Sequence, residues 1–350
     1  MMKSIKIGFL AIFGCFLAAQ GFAQTDLQPA AIVNLTRSEP ITVKQFRTEV
    51  ERVEKSARRS LSDKERRDVL DSMINERLAI QAAEKEKITI SENEVNQQIN
   101  QLKNQMVQAI GRQPTDAEFA AAIKNETGLD ISTFRDQARR QLTTQKYLMS
   151  KKQSSFDNIK APTDADITSA YNLTKSQFVR PDTVRFSMIQ VEYGSDAASK
   201  SKAKELADKL IREIGTSPSK FDEVVLRGQA PNSGYQAGDG GYLPRNMEAA
   251  QVVGQDFITI VFNLKQGEVS KLMDGLRGYQ VVKVTETYAQ KNLELDDIFQ
   301  LGSRMTVRNY IGNSLLQERQ MEVLTKATQE LVAELRAGKT FQVFEKNLTW

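Results

Sequence analysis

Four helix starts in the first third of the chain share one reciprocal code, and they commit that region to a succession of capped helices. Thr42 and Gln45, Ser62 and Glu65, Ser91 and Glu94, and Thr115 and Glu118 each set a hydroxyl three residues ahead of a carboxylate or amide. At that spacing the hydroxyl accepts the later backbone N–H while the longer side chain reaches back to the earlier one. Two donors orphaned at a helix start are thus satisfied together. Behind these starts apolar residues recur at threes and fours: Phe46, Val50, Val53; Leu70, Met73, Ile74, Leu78; Val95, Ile99, Leu102, Met106, Ile110; Phe134, Ala138, Leu142. Each set predicts one apolar stripe on an amphipathic helix. Gly111 and Gly128 fall where C-caps are expected, and a short strand, Ala31 to Leu35, precedes the helices.

The texture changes after Lys152. Ala161-Pro162-Thr163-Asp164 reads as a joint, followed by a short helix through Ile167 and Tyr171 and then a run from Thr183 to Val191 whose period shifts toward two. A helix over 199–214, a Gly-rich loop from Gly234 to Gly241, a segment Phe257 to Leu264 and a β run Tyr279 to Val284 complete an α+β unit. From Leu295 to Ala337 helical spacing returns, with Val307, Ile311 and Leu315 in register and Gly338 placed to cap it. Phe341 to Phe344 alternates as a short strand. One such strand cannot close a membrane barrel, so it is expected at an ordinary sheet edge. The tail shares the texture of the first region, so the expected fold class is α+β, with a helical module split by an inserted α+β domain. The boundaries fall at 1–23 (leader), 24–160 (helical module), 161–180 (linker with a short helix), 181–290 (inserted domain) and 291–350 (C-terminal helix and strand packing on the helical module).

Composition removes chemistry. The 350 residues hold no His and one Cys, which excludes a Ser-His-Asp triad, a Cys-His pair and an imidazole-ligated zinc. Residues 1–23 have the layout of an export signal: Lys3 and Lys6, an apolar run of 13 residues from Ile7 to Ala19, and small residues before a cut after Ala23. That run is short of the ~20 residues of a spanning helix, and no later segment approaches it. An exported, periplasmic chain without an integral membrane segment is expected. Lipid anchoring through Cys15 is the alternative, disfavoured because Phe-Leu-Ala-Ala follows it. The net charge of +4, lower once Lys3 and Lys6 are lost, does not argue for nucleic acid. The clusters Lys55/Arg58/Arg59 and Arg66/Arg67 alternate with carboxylates as on a solvated helix face. Gly238-Asp239-Gly240-Gly241 lacks the Lys of a phosphate loop and reads as a tight turn. Asp296-Asp297 lacks metal-ligand spacing and reads as charge at a helix N-terminus. No metal or cofactor is expected.

The middle segment resembles the parvulin family of peptidyl-prolyl isomerases. The residues that carry the likeness are Val184-Arg185-Phe186-Ser187-Met188-Ile189-Gln190-Val191, Gly238-Asp239-Gly240-Gly241-Tyr242, Phe257 with Phe262-Asn263-Leu264 and Gly267-Glu268-Val269-Ser270, and Gly278-Tyr279-Gln280-Val281-Val282-Lys283-Val284. The flanks resemble SurA-type exported foldases through Ala31–Leu35, Asp71-Ser72-Met73-Ile74-Asn75-Glu76-Arg77-Leu78 and Phe134-Arg135-Asp136-Gln137. The resemblance makes the split module a chaperone region and 181–290 a parvulin-like domain.

It implies a substrate groove containing Phe257 against proline, Met247 beside it, and two His positions, here filled by Phe186 and Gln280. Phe186 is expected to fill space beneath the groove, and Gln280 to offer a donor and an acceptor to a peptide backbone. The family's apolar residue after the Asp of the Gly-rich turn is replaced by Gly240, and its Cys or Asp above the pocket has no counterpart near Pro231 and Asn232. No catalytic residue is assigned. Rotation about a prolyl bond faces ~18–20 kcal/mol, which a groove can lower by binding the twisted form better, without proton transfer. Loss of both His then implies weak catalysis or none. Three readings follow: an ATP-independent chaperone for unfolded or extended polypeptides, outer-membrane proteins among them; an active peptidyl-prolyl cis-trans isomerase; and a structural or adhesive surface protein that kept the fold.

Overall fold

The computed structural model describes residues 26–230 and 232–348. The expected leader with Cys15, as well as Pro231 and Trp350, lies outside the described residues.

The chain opens with an antiparallel hairpin, β1 (Pro29–Asn34) and β2 (Ser38–Thr42), then α1 (Val43–Ala57), α2 (Asp63–Lys85), α3 (Glu92–Ile110), α4 (Asp116–Thr127) and α5 (Ile131–Asp157). All four predicted capping boxes form, each with its reciprocal pair of hydrogen bonds. Gly111 and Gly128 close α3 and α4 with φ of 72° and 78°. Val95 and Ile99 of α3 join Phe119, Ile123, Leu129 and Phe134 in one small core. The stripe then outruns its partners, and Ile110 is 43% exposed.

Next come α6 (Asp164–Thr174), β3 (Val179–Arg180), β4 (Thr183–Glu192), α7 (Ala197–Ile214), α8 (Pro218–Gly228), β5 (Gln236–Pro244), α9 (Met247–Val253), α10 (Gln255–Phe262), β6 (Met273–Asp274), β7 (Gly278–Tyr288) and β8 (Lys291–Asn292). Four of these strands form an antiparallel sheet in the order β5-β4-β7-β6. Alternation along β4 and β7 divides the core. Ile189, Val191, Tyr279 and Val281 meet α7 and α8 on one face, while Val184, Phe186, Val282 and Val284 meet α10 on the other.

The last elements are α11 (Val307–Ala337) and β9 (Phe341–Val343). In β2-β1-β9, β1 is central and β9 is an edge strand. Residues 30–78 and the tail share a core that includes Val33, Ile41, Phe46, Leu70, Ile74 and Leu78, with Leu335, Phe341 and Val343 packed against it.

The described residues form two compact units, one of residues up to 159 together with those from 319 onward, and one within 160–318. The continuous unit is longer at both ends than 181–290. Ile167, Tyr171 and Phe178 form a common core with Leu293, Val307 and Ile311, which ties the linker helix and the start of α11 to the sheet domain. The structure differs from the sequence reading at two further places. Residues 236–244 are a strand paired with β4, not a loop ending in a tight turn. The helix expected from Leu295 starts at Val307, because Asp297 accepts the Glu294 N–H at 2.8 Å and an Ile298–Thr306 bridge folds the chain back. Asp296 accordingly caps no helix and pairs with Arg308 at 3.0 Å.

Candidate functional site

The sheet face beneath α10 carries the residues singled out by sequence. Phe186 of β4 and Phe257 of α10 meet edge to face, with ring centroids 5.6 Å apart at 67°. Both are buried, at 5% and 8% exposed. Met247 begins α9, whose N-cap Asn246 accepts the Ala249 N–H at 2.8 Å, and is 76% exposed. The structure therefore unites Phe186 with Phe257 and leaves Met247 outside their core.

Phe186 and Gln280 do not form a cross-strand pair. In the β4–β7 register Phe186 stands opposite Val284 and Gln280 opposite Gln190. The polar pair on this face is Gln190 with Gln280, whose Nε2 donates to Gln190 Oε1 at 3.0 Å. Met188, half-buried against the same core, lies between Phe186 and Gln190. Gln190 was missed by sequence reasoning because its neighbours Ile189 and Val191 make it part of an apolar run. The alternation that puts Met188 and Gln190 on the face of Phe186 was the signal available.

None of Phe186, Met188, Gln190, Phe257, Gln280 and Val282 titrates, so this floor offers no general acid or base. Phe186, Phe257 and Val282 are buried in the core, and the half-buried members at its edge are Met188 and Gln280 of the amide pair. The bond between the two glutamines leaves one N–H of Gln280, both N–H groups of Gln190 and the lone pairs of Gln280 Oε1, a set complementary to the N–H and C=O of an extended backbone.

Charge lies beside this floor. Arg185 bonds Asp239 through Nη2 at 2.6 Å and Glu286 through Nη1 at 3.0 Å, and lies over Tyr242. The guanidinium, then the Gly241 N–H, hold the Asp239 carboxyl below its usual range. Glu286 is lowered by the Tyr288 hydroxyl and then by Arg185, and the same bond pushes Tyr288 up to about 12. These groups fix the sheet and the bend at Asp239.

In the other unit, α1 and α2 border a cavity of about 500 Å³ whose lining includes Val53, Leu61, Val69 and Met73 beside Glu49 and Arg52. Burial pushes the Glu49 carboxyl up, with the hydrogen bond from Arg52 opposing it. Among the described residues, no three or more His, Cys, Asp or Glu gather as metal ligands, and no helix is long and apolar enough to cross a membrane.

Comparison with known proteins covers both units. Residues 2–148 match the SurA-like N-terminal domain and residues 162–299 match the PPIC-type PPIase domain. The foldase protein PrsA of Clostridium botulinum (strain Loch Maree) is 23% identical over 284 residues, 80% of this chain and 73% of that protein. The chaperone SurA of Pseudoalteromonas translucida is 22% identical over 300 residues, 82% of this chain and 66% of that one. Among solved structures, one from work on the SurA-like chaperones PEB4 and Cj1289 of Campylobacter jejuni is 14% identical, with TM-score 0.40, covering 91% of this chain and 100% of that one. PrsA of Bacillus subtilis is 21% identical, with TM-score 0.27, covering 85% and 88%. The chain thus joins a SurA-like N-terminal domain to a PPIC-type PPIase domain and has homologues among the foldase proteins PrsA and the chaperones SurA.

Proposed function

We propose that the protein is an exported, periplasmic chaperone that holds unfolded or extended polypeptides, outer-membrane proteins among them, without ATP. In this reading residues 1–23 are an export signal, and the parvulin-like domain is a binding groove with weak or no isomerase activity. The observation that carries it is the sheet face beneath α10, where an amide pair, Gln190 and Gln280, stands beside half-buried Met188 at the edge of the apolar core of Phe186 and Val282. Such a floor supports contact with a chain's backbone and apolar side chains, and it contains no group that transfers a proton.

The second reading, an active isomerase, is supported by the match of residues 162–299 to the PPIC-type domain, since prolyl rotation needs no proton transfer. Refolding of a protein limited by proline isomerisation separates the two. Added in increasing amounts, the mature chain is expected to slow refolding in proportion to its ratio to client. Acceleration at trace amounts would overturn the holding reading in favour of the enzyme.

A further inference from the structure

Phe186 is flanked by irregular pairing on both sides. β5 carries an extra residue, Gly240, between the partners of Phe186 and Ser187, and β7 carries one, Thr285, between the partners of Arg185 and Phe186. Bulges re-aim side chains, and here the ring lies over Gly240. A Cβ at 240 would stand 2.5 Å from Phe186 Cζ and 2.8 Å from Cδ2, well inside the ordinary carbon–carbon separation of about 3.5–4.0 Å. Gly240 is not among the residues with positive φ. The glycine is therefore required by the ring above it and not by its own backbone. Next to it, Gly241 has φ of 80° and donates its N–H to Asp239 Oδ1 at 2.9 Å, which fixes the bulge. The Phe186 ring also meets Phe257, the residue whose family counterpart faces proline.

We infer that Phe186 is the specificity-determining residue of the groove: seated in the space that Gly240 leaves, it covers Phe257 and closes the pocket that would hold a prolyl ring. The groove then takes an extended chain with no preference for proline. This rests on the groove reading above and deepens it. Size has been exchanged between two adjacent strands, a large ring on β4 for a missing side chain on β5.

The test uses the full mature chain and two fluorescein-labelled peptides that differ only in one Pro or Ala. The natural chain is expected to bind both within about twofold. Phe186→Ala is expected to favour the prolyl peptide by about tenfold, the discrimination a well-filled apolar pocket provides. Phe186→Ala with Gly240→Leu restores core volume and is expected to gain in the same direction, which keeps the test open if the single variant does not fold. A tenfold prolyl preference in the natural chain, or no gain in a folded variant, overturns the inference. If the natural chain binds neither peptide, the groove reading fails; a prolyl gain in the variants would still support the covering of Phe257.

Discussion

Gln81 has no exposed surface, and its carbonyl receives the backbone N–H groups of Leu35 and Thr36 at 3.0 and 2.9 Å while its amide donates to Glu39 at 3.1 Å. One helical side chain thus holds the connection between β1 and β2. With Arg37 N–H at 3.4 Å as a third donor, Gln81→Leu removes the acceptor of three backbone N–H groups, and urea denaturation should show a loss of about 2–4 kcal/mol. The glutamines of the groove floor should behave differently. Gln280→Leu leaves Gln190, 9% exposed, without its partner and should cost about 1–3 kcal/mol, whereas Gln190→Leu with Gln280→Leu should be close to neutral because neither amide is stranded. A double variant as unstable as the single one would contradict that asymmetry. At this scale the sequence was informative about residue type and weak about partnership. Phe186 and Phe257 were recognisable as apolar residues of one region, and the structure packs their rings together. That Gln280 faces Gln190 depends on the β7 bulge at Thr285, which shifts the β4–β7 register beside Phe186, and no local spacing announces a bulge in a neighbouring strand.

Elements whose ends carry their own chemistry were legible, and those defined by remote partners were not. The four capping boxes are complete within four residues each, so α1 to α4 start where the pattern puts them. The start of α11 is decided by pairing between Ile298 and Thr306, and β5 by pairing with β4; both defeated a reading by spacing. The caps also predict an acid response. Glu94 is held at about 2 by Lys146 and then by the Ser91 N–H and hydroxyl, and Glu118 at about 2 by Arg112 and then by the same groups of Thr115. The unfolded chain binds more protons than the folded one between that value and the ordinary carboxylate range near 4.3. Their contribution is therefore complete above that range and lost as pH falls toward 2. Melting temperature followed from pH 6 to pH 2 should drop over that interval. Glu94→Gln with Glu118→Gln, which keeps the cap geometry, should flatten the drop, and an unchanged slope would show that other groups set it.

At the scale of the whole molecule, the absence of His means that no side chain with an unperturbed pKa changes charge between pH 5.5 and 8. Client affinity, measured by fluorescence titration over that range at constant ionic strength, should vary less than about twofold; a larger change would implicate a perturbed group such as the buried Glu49. The unit that contains both chain ends depends on its last strand. Phe344 N–H donates to Ala30 at 2.9 Å, Asn34 N–H to Thr340 at 2.7 Å, and Asn347 reaches Pro29 across 318 residues of sequence. Deleting residues 341–350 should lower hydrogen-exchange protection in β1 and β2 while leaving β4 and β7 protected, and equal loss in both sheets would mean that the units do not fold separately. A strand laid down at the beginning and completed only by the end also imposes an order on biogenesis. During synthesis, N-terminus first, the continuous unit has all its strands before the last residues emerge, while the opening hairpin must wait for them. A chain arrested before the final ten residues would leave that hairpin edge open, its β1 backbone groups exposed where β9 would pair.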